Sequence, residues 1–108
     1  MDENQAQKAI DYVRDNAPKY ANAKAERVYI EQFLKAKKSM LMADEGGTLG
    51  AKEAYALSHP EYVALLGGLR AAVEEEERIK YLIEAARMRF EHFKIESFNA
   101  RAEARALG

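Results

Sequence analysis

The sequence predicts an all-α protein, a helical hairpin or bundle whose long, coiled-coil-like C-terminal helix drives assembly into an oligomer. Three observations carry this expectation. The last stretch, residues 60–107, repeats in sevens: Tyr62, Leu69, Glu76, Ile83, Phe90, Ser97 and Ala104 form one series, and Leu65, Ala72, Ile79, Ala86, Phe93, Ala100 and Leu107 its companion. A 3.5-residue repeat keeps both series facing one partner, as in a coiled-coil seam. Charged residues make up 32% of the chain and Ala, Glu, Lys, Leu and Arg are abundant, a balance that belongs to long helices. Finally, the one glycine-rich stretch, Asp44 to Gly50, is a turn between helical patterns.

In chain order, residues 4–16 read as a short amphipathic helix with Ala6, Ile10, Val13 and Ala17 on one face. Pro18 is expected to break it, because proline disfavours helix in the residue before it and suits the first turn of the next one. A second helix follows over 19–43, with Tyr29, Ile30, Phe33, Leu34, Met40 and Leu41 as its buried stripe. Residues 44–59 hold the turn and a short helix over 51–57. The turn lacks Gly-Lys-Ser/Thr and a preceding strand, so it is no phosphate-binding loop. Ser58 with Glu61 three residues on reads as a capping box, with Pro60 in the first turn of the long helix. Gly67 and Gly68 fall early in that helix, where they admit close packing of a neighbouring helix or a hinge. At 1.5 Å per residue the helix over 60–107 would run roughly 70 Å, which implies partner helices from other copies. Leu65, Leu69, Ile79, Ile83, Phe90 and Phe93 are the candidate oligomerisation residues. The whole of 1–108 makes a single helical domain.

Glu74, Glu75, Glu76 and Glu77 cannot all face water, since residues step by 100° around a helix. Glu76 lands on the seam, where a charge costs stability unless paired. If the second helix folds back antiparallel, Lys24 and Arg27 come level with Glu76, and an ion pair is expected there.

Catalysis is not indicated. His59 and His92 lie far apart with no metal-binding spacing, there is no cysteine, and Glu-x-x-His is absent, so no metal and no cofactor is expected. No small-molecule substrate is suggested. Met1 begins a polar run rather than a leader, and no apolar stretch is long enough for a membrane, so the expected location is cytoplasmic.

The formal net charge of −1 excludes coating of nucleic acid by bulk charge, yet the charge is segregated. Lys24, Arg27, Lys35, Lys37 and Lys38 face only Glu26 and Glu31; between Arg78 and Arg105 seven Lys or Arg face four Glu. In the tail, cations alternate with Phe90, Phe93 and Phe98. Single-stranded nucleic acid is held by such a combination, cations on phosphates and rings stacked on bases. Phe90 and Phe93 belong to the seam, leaving Phe98 as the candidate exposed ring.

The order of a basic helix containing Tyr29, Phe33, Lys35, Lys37 and Lys38, a short segment ending in Tyr55, Ala56, Leu57 and Ser58, and a long helix ending in Phe93, Lys94, Ile95, Glu96, Ser97, Phe98, Asn99, Ala100 and Arg101 resembles the UvsY family of tailed-phage recombination mediators. The resemblance implies a helical homo-oligomer that binds single-stranded DNA and helps a RecA-like recombinase displace single-strand-binding protein, in the host cell cytoplasm. It implies backbone contacts from Arg27, Lys35, Lys37 and Lys38, to which the aromatic and basic tail adds Phe98 and Arg101. The alternative is a helical protein-interaction module, a phage adaptor or inhibitor, that never touches nucleic acid and offers the glutamate band to its partner.

Overall fold

The computed structural model describes residues 2–108, and among them it contains three helices and no strand: α1 (Glu3–Ala43), α2 (Leu49–Ser58) and α3 (Pro60–Leu107). Two compact units form along these helices. One joins residues 2–20 to Arg78–Gly108; the other is Ala21–Glu77.

The start of α1 is a reciprocal capping box. The Gln5 amide donates to Asp2 Oδ1 at 2.8 Å while Gln5 Oε1 accepts from the Asp2 amide at 3.0 Å, satisfying two donors that the first turn leaves free. The expected break at Pro18 does not occur: α1 runs through it as one helix. Proline removes one donor and crowds the carbonyl four residues back, that of Arg14. Both Pro18 and Arg14 lie on the solvent side, where water can take the orphaned carbonyl.

In the first unit α1 and α3 run antiparallel, with Ala9 and Val13 near Phe90 and Arg87, and Tyr20 near Lys80. Its core is thin: Ala6, Ala9, Ile79, Ile83 and Ala86 are buried, and the alanines let the two backbones approach closely. Ile10 and Ala17, expected on the inner face of the first helix, are exposed.

The second unit packs the rest of α1 against α2 and the start of α3, again antiparallel, with Leu34, Leu41 and Ala56 buried. Tyr29 and Met40, assigned to the core by the sequence, stay outside, at 64% and 52% exposure. Six residues over 29–41 sweep too wide an arc for one helical stripe to hold. Gly47 takes φ +100 in the turn, a left-handed conformation that suits glycine. The helix after it begins two residues earlier than expected, because Thr48 Oγ1 accepts the Ala51 amide at 3.2 Å as its cap.

The junction of α2 and α3 also differs from expectation. Ser58 ends α2, its hydroxyl donating to the Ala54 carbonyl at 2.6 Å. His59 closes α2 through its backbone N–H to the Ala56 carbonyl, and its Nδ1 accepts the Glu61 amide at 3.1 Å to open α3. Pro60 is the first helical residue, as anticipated, but the cap is an imidazole, and the Glu61 carboxylate is engaged elsewhere. Gly67 and Gly68 have no neighbour within 4 Å of a Cβ built on either, so no helix of this chain packs there.

The expected ion pair at Glu76 is present, with Arg27 as its partner. Glu76 is 6% exposed; Arg27 donates Nε to Oε2 at 2.5 Å and Nη2 to Oε1 at 3.0 Å. The third nitrogen, Nη1, donates to Glu31 Oε1 and Oε2, each at 3.1 Å. These hydrogen bonds, to Glu76 first and Glu31 second, push the guanidinium pKa above its ordinary value, so it is charged at any working pH.

Two stability outcomes follow. Glu76→Ala and Arg27→Ala should each lower the thermal midpoint by several degrees, with the double variant far less destabilised than their sum; additive losses in a double-mutant cycle would deny the coupling. Pro18→Ala should stabilise the chain by roughly 3 kcal/mol at most, read by urea denaturation, because it restores a helical donor.

Candidate nucleic-acid interface

The six candidate contacts separate once their neighbours are known. Arg27 is half-buried on the inner side of α1, and its guanidinium nitrogens are engaged by Glu76 and Glu31. Lys37 is ion-paired with Glu61, its side chain 21% exposed. That hydrogen bond, with the charge behind it, holds the Glu61 carboxyl below the usual carboxylate range. Lys35 is exposed and Lys38 half-buried. At 100° per residue Lys35 and Lys38 share a side of α1, whereas Lys37 points about 160° away from Lys35. The lysine cluster is therefore contiguous in sequence and divided in space.

Phe98 and Arg101, in the other unit, are exposed as expected, the ring at 70%. They join a set that adjacency in the sequence hides. Lys80, Arg87, Lys94 and Arg101 stand seven apart on α3, and a step of seven returns to within about 20° of the same side while advancing about 10.5 Å. Each lines a concavity of the first unit. Lys80 and Arg87 border one of about 230 Å³ with Val13, Ala17, Tyr20, Ile83 and Glu84. Arg87 also borders one of about 540 Å³ floored by Ala9, Val13, Ala86 and Phe90. Lys94 and Arg101 border a third of about 350 Å³ with Phe93, Ser97 and Phe98.

Electrostatically the row is mixed. Glu84 and Glu91 intervene between its cations. Lys94 Nζ lies 3.4 Å from Glu91 and 5.6 Å above the Phe90 ring, and Lys80 Nζ lies 5.6 Å from the Tyr81 ring. Across on α1, hydrogen bonding to Asp15 first, and the charges of Asp15 and Asp11, raise the Arg14 pKa. Arg87 and Arg101 are the exposed guanidinium groups of the row, and an Arg fork suits phosphate oxygens.

The candidate oligomerisation residues are buried or half-buried within the chain itself. Ile79 and Ile83 are buried, and Leu65, Leu69, Phe90 and Phe93 half-buried. Leu65 shares a concavity with Phe33, Ile83 with Val13 and Tyr20, and Phe90 with Ala9. The helix that faces this seam is the chain's own α1, and a second copy is not needed to close it at Ile79 or Ile83.

His92 is exposed, with Nε2 2.7 Å from Glu96 Oε1. Among the described residues no group of three or more His, Asp or Glu is placed to hold a metal ion, and no helix is long and apolar enough to cross a membrane. Comparison with protein-family models, with curated sequences and with solved structures returned no significant match.

Titration separates the roles of the lysines. A carboxyl held low by a partner stabilises the fold above its unfolded pKa of about 4.3, and that contribution disappears as pH falls through the folded value. Lys37→Met should therefore raise the Glu61 midpoint toward the ordinary range, followed by the carboxyl carbon shift in NMR, while Lys35→Met leaves it in place. An unmoved midpoint in Lys37→Met would remove the pairing.

Proposed function

We propose that this chain is a non-enzymatic, phage-type accessory protein that self-assembles and holds single-stranded DNA, assisting recombination or replication beside a RecA-like recombinase or a single-strand-binding protein. The observation that supports this reading is the row Lys80, Arg87, Lys94 and Arg101 with the exposed Phe98 ring beside its end. Cations at a regular interval follow a phosphate chain, and an exposed ring offers stacking to a base without demanding a sequence. One chain supplies few such contacts. Assembly multiplies them, and avidity converts weak contacts into useful binding.

A second reading, a helical protein-interaction module, is favoured by a different observation. Tyr81, Met88 and Ile95 also stand seven apart on α3, at 59%, 71% and 58% exposure. An apolar stripe of that period suits a partner helix.

Anisotropy of a labelled single-stranded oligonucleotide, titrated at several salt concentrations, separates the two. Binding should weaken with salt, and each of Arg87→Ala and Arg101→Ala should flatten the logarithmic slope by about 0.7, the value for one phosphate contact on a single strand. Lys37→Ala should leave the slope unchanged. No binding at low salt would shift the assignment to the protein-interaction module.

A further inference from the structure

The three concavities of the first unit are built from the same parts: an apolar floor, an aromatic ring and a cation. The one of about 230 Å³ has Ile83, Tyr20 and Lys80. The one of about 540 Å³ has Ala86, Phe90 and Arg87. The one of about 350 Å³ has Phe93, Phe98 and Arg101. The first two are continuous, since Val13 on α1 and Arg87 on α3 line both. From the α3 residues that line them, the three centres lie about 8 Å and then about 12 Å apart along the helix axis, and within about 60° of one another around it. They make one groove, walled by α1 and α3 at the first two hollows and carried by α3 at the third.

A site that repeats is matched by a ligand that repeats. A single small molecule answers one hollow, whereas a polymer with one flat ring and one anion per unit answers all three, and single-stranded nucleic acid is such a polymer. Charge indicates how the strand is held. Glu84 and Glu91 border the groove among the cations, and Lys94 Nζ lies 3.4 Å from Glu91, so the pull of the row on phosphates is weakened. Contacts to the rings have to supply the rest of the binding.

We propose that the strand lies along this groove with its phosphates outward on the cation row and its bases turned into the hollows, against Tyr20, Phe90 and Phe98. The proposal rests on the single-stranded DNA reading above and narrows what that site selects. Duplex DNA, whose bases are already paired, cannot fill the hollows, and neither can a polyanion without rings. Stacked bases rise about 3.4 Å, less than half the interval between hollows, so the strand is taken with its bases unstacked.

Anisotropy titrations at low salt compare labelled oligo(dT) with an abasic strand of the same length. The abasic strand should bind at least about tenfold more weakly, because base–ring stacking is absent. Phe90→Leu keeps an apolar side chain at a half-buried position and removes the ring. With its helical circular dichroism unchanged it should weaken oligo(dT) binding at least about fivefold and leave the abasic strand unaffected. Phe98→Leu, at an exposed position where folding is not at stake, should do the same. Oligo(dA), stacked when free, should gain ultraviolet absorbance on binding as its bases separate. Equal affinity for the oligo(dT) and abasic strands overturns the seating of bases, and so does a loss in Phe98→Leu shared equally by both, or an unchanged oligo(dA) absorbance. A Phe90→Leu protein as helical as wild type that holds oligo(dT) as tightly overturns it too. In each of these cases a salt-dependent slope still supports the single-stranded DNA reading; no binding of either strand at low salt overturns both.

Discussion

A carboxylate closed inside a pair of helices must be answered by a cation in the right place, and Glu76 is answered by Arg27. The geometry is demanding, because two nitrogens of one planar group meet both oxygens of another while the third nitrogen holds Glu31. Sliding α1 along α3 by one turn would strand the carboxylate away from water. The pair therefore acts as a register pin for the second unit more than as a source of net stability, the best-attested use of a buried charge on a helical seam. Leu34 and Leu41, both buried, fill the same side of α1 and depend on that register.

Beyond this pin the packing is slender. Among the described residues no large side chain is fully buried, and the buried positions of the first unit are alanines and isoleucines. Two helices can bury only one stripe each, so apolar residues on the other sides of α1 and α3 remain in water, among them Tyr29, Met40, Tyr81, Met88 and Ile95. Aligned exposed residues of this kind mark surfaces that meet other molecules. The basic row of α3 lies about 100° around that helix from Tyr81 and Met88, so the two stripes are separate surfaces.

Some of this architecture was legible in the residues. The heptad count from Tyr62 found the inner side of α3 because periodicity is a local property: Ile79, Ile83 and Ala86 are where it placed them. It also put Glu76 on the seam, and an antiparallel fold-back of the second helix offered Lys24 and Arg27 as its partners, of which Arg27 makes the pair. What periodicity does not carry is the identity of the facing helix, and the chain's own α1 took the place that other copies were expected to fill. Pro18 was misread because its cost depends on whether the freed carbonyl meets water. The Lys37 ion pair is not legible in the sequence because its partner, Glu61, is distant along the chain. The row from Lys80 to Arg101 is legible as a spacing of seven among cations, a signal carried by helical turns rather than by sequence neighbours.

His59 is one residue shared by two helices. Its backbone N–H terminates α2 and its ring nitrogen starts α3, with Pro60 fixing the bend between them. Fraying normally begins at helix ends, each independently. Here the two ends have no slack between them, so loosening the last turn of α2 also releases the first turn of α3. Amide protons on both sides of the joint then open as one cooperative event, and a short helix that would be marginal alone borrows its persistence from a helix almost five times its length.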